Sequence, residues 1–323
     1  MNTLSRRTFL KTLTITGAYP LISKCSSVAE PLKIASHVWS GYELMFLAHR
    51  EGWLLNNNVQ FLETASATES IQALANNTVH GAALTLDEVL RARSQNINLT
   101  CVLIFDISAG ADMVLSKTNI TDLSKLKGQR IGIESTAVGA LMLHKLLDYA
   151  KLNKTDIIPI ELTFDQHLDA WDKNKIDAVI TFEPVTSQLL NKGAYKIFDS
   201  RKIPNTIFDV LAIKTDILTT QYQHVKSLIA AHFRARNYFY HNTQDAIYKI
   251  AIRMDISPSD VLNSFRGLNL PNEEANLKFL SDDSNSLLNS AQNLSNIMLE
   301  MGVITEIDNL NNLVTDYFLP KGL

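Results

Sequence analysis

Cysteine is nearly missing from this chain: its 323 residues include two, Cys25 and Cys101. That excludes a disulfide-stapled fold and a cysteine-rich metal site. Glycine (12 residues) and proline (8) are also sparse and gather into no linker, so the chain is not a string of loosely tied modules. Gly132 and Gly139 are too isolated for a phosphate cradle, and no HExxH, GxSxG or Walker-type loop occurs. Positive charge is not in excess; a formal net charge of −3 excludes the electrostatic footprint of a nucleic-acid binder. After the N-terminus no run is long and apolar enough to span a bilayer. What is present is a 46% hydrophobic share, enough for the cores of about two domains. Histidines 80, 144, 167, 224, 232 and 241 lie in unrelated settings. Cys101 sits inside the apolar run 99–105 and reads as a small core residue. No catalytic group, cofactor or metal is expected, and the chain does not read as an enzyme.

The N-terminus is not fold. Ser5-Arg6-Arg7-Thr8-Phe9-Leu10-Lys11 has the pattern of a twin-arginine export signal, followed by a moderately apolar stretch over 12–23 and a basic Lys24. Two processing routes compete. Ser27-Val28-Ala29 supplies small residues for cleavage before Glu30, the favoured route; Ile22-Ser23-Lys24-Cys25 is a defective lipobox that would leave a lipid on Cys25. Removing 1–29 takes away Arg6, Arg7, Lys11 and Lys24 and no acid, which lowers the formal charge from −3 to −7 and leaves Cys101 alone. Either route places the protein in the periplasm.

From there the chain alternates. Strands are expected over 32–38, 59–62, 79–84, 99–105 and 113–116, with helices over 42–51, 68–75 (capped by Thr68) and 87–94 between them. Short loops and this alternation imply a parallel, doubly wound lobe. A second, smaller α/β lobe follows: a turn at 123–128, a strand around 131–133, a helix over 137–150, then strand 157–162, helix 165–173, strand 177–181, helix 185–191 and strand 195–198. The chain returns through strand 208–214 and is expected to be helical over 216–242, 243–254, 259–264, 283–301 and 304–317. The expected division is 1–29 signal, 30–116 with 205–323 as lobe I, and 117–204 as lobe II. The lobes would be joined by short crossings near 115–120 and 200–209.

Ligands of open α/β sheets sit at the carboxyl ends of the strands. Those ends carry Trp39, Ser40, Gly41 and Tyr42; Thr64 and Ser66; Thr85, Leu86 and Asp87; Asp106; Asp112; Glu134, Ser135 and Thr136; Thr181 and Glu183; and Asp209. If the lobes face one another, all of these line one cleft. Trp39 and Tyr42 offer flat walls, and the hydroxyls and the N–H groups opening the helix after Ser135 offer polar contacts. Bland roles compete: Trp39 as core, Tyr42 as helix surface, Asp87 as an N-cap, Asp112 as a partner of its own turn, and Glu183 as a carboxylate favoured by a helix start. The charge sign is informative. The strand ends offer acids and no Lys or Arg, with His37 the nearest basic group. A bare inorganic anion would be repelled, so the pattern favours an organic solute with a donor-bearing part, such as an amine or an aminopyrimidine.

Four runs carry a resemblance: Val38-Trp39-Ser40-Gly41-Tyr42-Glu43-Leu44-Met45-Phe46-Leu47-Ala48; Gly110-Ala111-Asp112-Met113-Val114; the 123–128 turn with Gln129-Arg130-Ile131-Gly132; and Lys175-Ile176-Asp177-Ala178-Val179 with Phe182-Glu183-Pro184. Their order and spacing over 32–215 resemble the nitrate/sulfonate/taurine-type (SsuA-like) solute-binding proteins of ABC importers, a family that also includes relatives that make or bind the thiamine pyrimidine. The resemblance implies a two-lobed periplasmic binding protein type II fold. It implies a monomer that captures a small solute of the sulfonate, taurine-like or aminopyrimidine class and hands it to a membrane permease and its ATPase. A ligand sensor acting on a membrane receptor is the alternative, and a pyrimidine-forming enzyme a more distant one.

Overall fold

The computed structural model describes residues 30–55, 58–135, 138–281 and 286–320. The expectations for the export signal and for Thr136 fall outside these residues. From Pro31 onward the chain forms one compact unit.

After strand β1 (Leu32–Ser36), the extended residue Trp39 opens a single 3-10 turn (Ser40–Tyr42) that leads into helix α1 (Glu43–Arg50). There follow β2 (Val59–Glu63), α2 (Ala67–Ala75), β3 (Gly81–Thr85), α3 (Leu86–Ser94), β4 (Leu99–Ser108) and β5 (Met113–Ser116). The second half runs β6 (Arg130–Ile133), α4 (Val138–Ala150), β7 (Ile158–Glu161), α5 (His167–Asp172), β8 (Ala178–Thr181), α6 (Val185–Asn191) and β9 (Tyr195–Asp199). After β10 (Phe208–Lys214) come α7 (Tyr222–His241), α8 (Thr243–Met254), α9 (Pro258–Phe265), β11 (Leu268–Asn269), α10 (Glu273–Leu280) and α11 (Leu287–Glu300).

Two sheets result, one ordered β11-β4-β10-β3-β1-β2 and the other β7-β6-β8-β5-β9. Most strands in each run in one direction, and β10, β11 and β5 run against their neighbours. Two α/β sheets of mostly parallel strands with flanking helices are what the alternation implied. In the second sheet, neighbouring residues divide between two cores as a pleat requires. Val114 and Ile180 join the main core, which continues from the first sheet, while Leu115 and Val179 join a small one around Trp171 and Phe164. Cys101 is fully buried in β4, as expected.

Four expectations are corrected. Strand 113–116 belongs to the second sheet, where it pairs with β8 and β9. The first crossing is therefore 109–112, earlier than expected; the second lies at 200–207. Helix α2 is capped by Ser66, which accepts from the Glu69 N–H, and not by Thr68. Residues 304–317 are not helical: Leu310 and Asn312 take left-handed backbone angles, and the segment lies along β4 with Cys101 N–H donating to Leu313 O (2.7 Å) and Thr315 N–H donating to Cys101 O (3.1 Å). Strand β11 and helix α10 were not anticipated.

Candidate functional site

β10 runs antiparallel to β4, so Asp209 at its start lies directly across from Asp106 near the end of β4 and, on its other side, from Thr85 at the end of β3. One edge of the first sheet thereby collects residues far apart in sequence. The Trp39 indole donates to Asp106 Oδ2 at 3.0 Å, and the Tyr42 hydroxyl donates to Asp209 Oδ1 at 2.5 Å. Gly41 is required here: a Cβ on it would stand 1.6 Å from Asp106 Oδ2. Across from this edge, Phe182 follows β8 and Phe164 follows β7, their rings stacked 4.2 Å apart. Phe182 meets Trp39 edge-on at 5.2 Å and lies 5.7 Å from His37, whose ring in turn meets Tyr42 at 5.5 Å. The two sheets thus meet through an aromatic wall over an acidic floor.

The floor is deeply buried. Asp106, Asp112 and Asp209 are 0–3% exposed, and Asp87 and Glu88 on α3 are close behind. Oxygens Asp87 Oδ1, Asp106 Oδ1, Asp112 Oδ2 and Asp209 Oδ2 find no donor among the described residues; neither Ser40 Oγ nor His37 Nδ1 finds a partner. Burial drives the ionisation. It raises Asp106 to about 8, Asp112 to about 7 and Asp87 to about 6. Asp209 is held well above its usual range by burial and then by repulsion from Asp106 and Asp112. His37 is pushed down to about 3 by burial and, secondarily, by Arg253, so the ring is neutral. Tyr42 is pushed well above 10, first by burial and then by Asp209. Near neutral pH, Asp106 and Asp209 are placed to share a proton.

Other strand-end residues are engaged elsewhere. Thr64 and Ser66 serve the start of α2: Thr64 Oγ1 shares a hydrogen bond with Ser70 Oγ at 2.7 Å. Thr85, not Asp87, is the N-cap of α3, with its N–H donating to Glu88 Oε2 at 2.8 Å, and Leu86 is core. Glu183 accepts from the Ser187 N–H (3.0 Å) and hydroxyl (2.9 Å) at the start of α6, the bland role foreseen for it. The Thr181 hydroxyl bonds His167 Nδ1 at 3.1 Å. Ser135 O accepts from Arg91 Nη1 at 3.0 Å, and Glu134 accepts from Thr68 and Phe164. Asp112 lies on the first crossing, where its backbone O accepts from Ser200 N–H at 3.0 Å.

Phe164, Phe182, His37 and Glu88 join the site without having been singled out as site residues. The strand-end rule, applied to the end of β7 and one residue past Thr181, would have found both phenylalanines. Among the described residues no cluster of three or more His, Cys, Asp or Glu is arranged to hold a metal ion, and no helix is long and apolar enough to cross a membrane.

The chain resembles in fold the alkanesulfonate-binding protein SsuA from Xanthomonas axonopodis pv. citri bound to MOPS (16% identity, 86% of this chain and 96% of that one, TM-score 0.71). It likewise resembles the periplasmic aliphatic sulphonate binding protein SsuA from Escherichia coli (16% identity, 88% and 97%, TM-score 0.71). A third neighbour is the periplasmic nitrate-binding protein NrtA from Synechocystis PCC 6803 (12% identity, 85% and 82%, TM-score 0.67). No curated protein sequence matches the chain. The family model described as NMT1/THI5 like matches residues 42–246, well over half of the chain, and the protein belongs to that NMT1/THI5-like family.

Proposed function

We propose that this protein is an exported solute-binding component that captures a small organic solute between its two lobes and delivers it to an ABC importer. The family and the fold support a binding role. The observation that carries the choice of solute is the set of buried aspartate oxygens without donors: Asp106 Oδ1, Asp209 Oδ2, Asp112 Oδ2 and Asp87 Oδ1. A solute that brings N–H donors and positive charge is favoured, because it satisfies these oxygens and lets carboxyls that burial otherwise holds protonated ionise. A sulfonate or nitrate, the ligands named for the neighbouring folds, would bring negative charge that opposes ionisation of these carboxyls and offers their oxygens no donor. A flat, N–H-bearing group also suits the walls of Trp39, Tyr42, Phe164 and Phe182. An amine or aminopyrimidine class is therefore favoured over the sulfonate and taurine-like classes. Entry requires the lobes to part at the 109–112 and 200–207 crossings, because the floor is buried.

Calorimetric titration with four probes tests the reading. Benzamidine should bind best. Phenyltrimethylammonium, with the same charge and no N–H, should bind at least about tenfold more weakly, and benzoate and butanesulfonate should not bind. Strongest binding by butanesulfonate would overturn the proposed solute class. Export is tested separately: Arg6→Lys together with Arg7→Lys should abolish appearance in the periplasm, and normal export of the double variant would rule out the twin-arginine signal. Intact mass of the native protein distinguishes a start at Glu30 from a lipid on Cys25.

A further inference from the structure

Glu134 follows β6 of the second sheet, yet its carboxylate reaches an element of the first. Thr68, in the first turn of α2, donates to Oε1 through its backbone N–H at 3.2 Å and through its hydroxyl. The N–H of Phe164 donates to Oε2 at 3.1 Å. Three donors converge on one carboxylate that is 6% exposed. An ionised acceptor makes each of these bonds stronger than a neutral one would, and the start of α2 favours its negative charge.

The chain holds Glu134 in place from behind. Leu162 N–H donates to Ile133 O at 2.9 Å, and a Cβ on Gly139 would stand 2.8 Å from Glu134 O, so only glycine lets α4 start this close to the strand end. Beside it, Arg91 Nη1 reaches Ser135 O and makes a second bond between the halves. Phe164, the third donor's residue, is the ring stacked on Phe182, which meets Trp39.

We infer that Glu134 is a closure latch and a positioning residue: through Thr68 it holds the two lobes together over the aspartate floor, and through the Phe164 N–H it sets the aromatic wall, without itself contacting the solute. The inference uses the location of the site proposed above and not the identity of the solute.

Small-angle scattering of the mature chain, stripped of co-purifying small molecules by unfolding and refolding, reads the latch without any ligand. The unaltered protein should be compact. Glu134→Gln keeps the shape and removes the charge, and should shift the closed-to-open ratio about tenfold, seen as a larger radius of gyration. Thr68→Val keeps the N–H, removes the hydroxyl, and should shift the ratio in the same direction by less. The double variant should fall short of the sum of the two, because both act on one contact. An unaltered protein that is already open overturns the latch. So does a Glu134→Gln variant that melts lower but scatters as before, since Glu134 would then be only structural; full additivity of the two changes does the same. Failure of every probe compound to bind would count against the solute reading and leave this comparison intact.

Discussion

Asp106 and Asp209 face one another across the β4–β10 ladder, and the burial of these and the neighbouring carboxyls gives the protein a pH signature. The folded state raises Asp106 to about 8, Asp112 to about 7 and Asp87 to about 6, against about 3.9 for an aspartate in an unfolded chain. A carboxyl whose folded value is raised binds its proton more tightly in the folded protein. Its stabilising contribution is complete below about pH 4 and is lost as pH climbs through 6 to 8. The ligand-free protein should therefore melt at progressively lower temperature between pH 5 and pH 8.5, and Asp106→Asn should flatten the upper part of that slope. A flat profile in the unaltered protein would mean that these carboxyls are not buried as a group. Gly41 gives a steric counterpart. Gly41→Ala forces a methyl group into the place of the Asp106 carboxylate, and should cost about 2 kcal/mol or more in urea unfolding.

The outer side of β4 shows how elements are fitted together in pieces. Its first half is covered by residues 313–315. In its middle, the Asn276 side chain from α10 imitates a strand: Ile104 N–H donates to Oδ1 at 2.7 Å, and Nδ2 donates to Ile104 O at 3.1 Å. The short β11 pairs with its end. An edge closed this way exposes little backbone to another chain. Asn276→Leu would leave both Ile104 groups buried and unpaired and should cost about 2–3 kcal/mol, measurable by denaturant titration. None of this was legible in the sequence, because a lone Asn and a two-residue strand carry no periodicity. The segment 304–317 misled for the opposite reason: Leu310, Leu313 and Val314 have helical spacing, and the angles at Leu310 and Asn312 override it. The alternation of strands and helices up to Lys214 was legible because buried strands and capped helices announce themselves locally. The floor of the site was half legible. The strand-end rule brought Trp39, Tyr42, Asp106 and Asp209 to one place, but it could not tell which strand-end polar side chains would be engaged at helix starts, as Ser66 and Glu183 are.

For the molecule as a whole, the two crossings are tied side by side. Ser108 Oγ and Ser200 Oγ share a hydrogen bond at 2.7 Å, and Gly110 N–H donates to Ser200 Oγ at 2.7 Å. On the proposed reading this junction is where the lobes hinge, while the aromatic wall and Glu134 form the far side of the closing seam. A solute that binds only the closed arrangement should raise the melting temperature in proportion to the logarithm of its concentration. All of this depends on what the buried aspartates are built to hold. Mass spectrometry of the small molecule released from freshly purified protein by gentle denaturation answers that most directly. The account predicts a compact compound with N–H donors on a flat or cationic group; recovery of a sulfonate or another anion without such donors would contradict it.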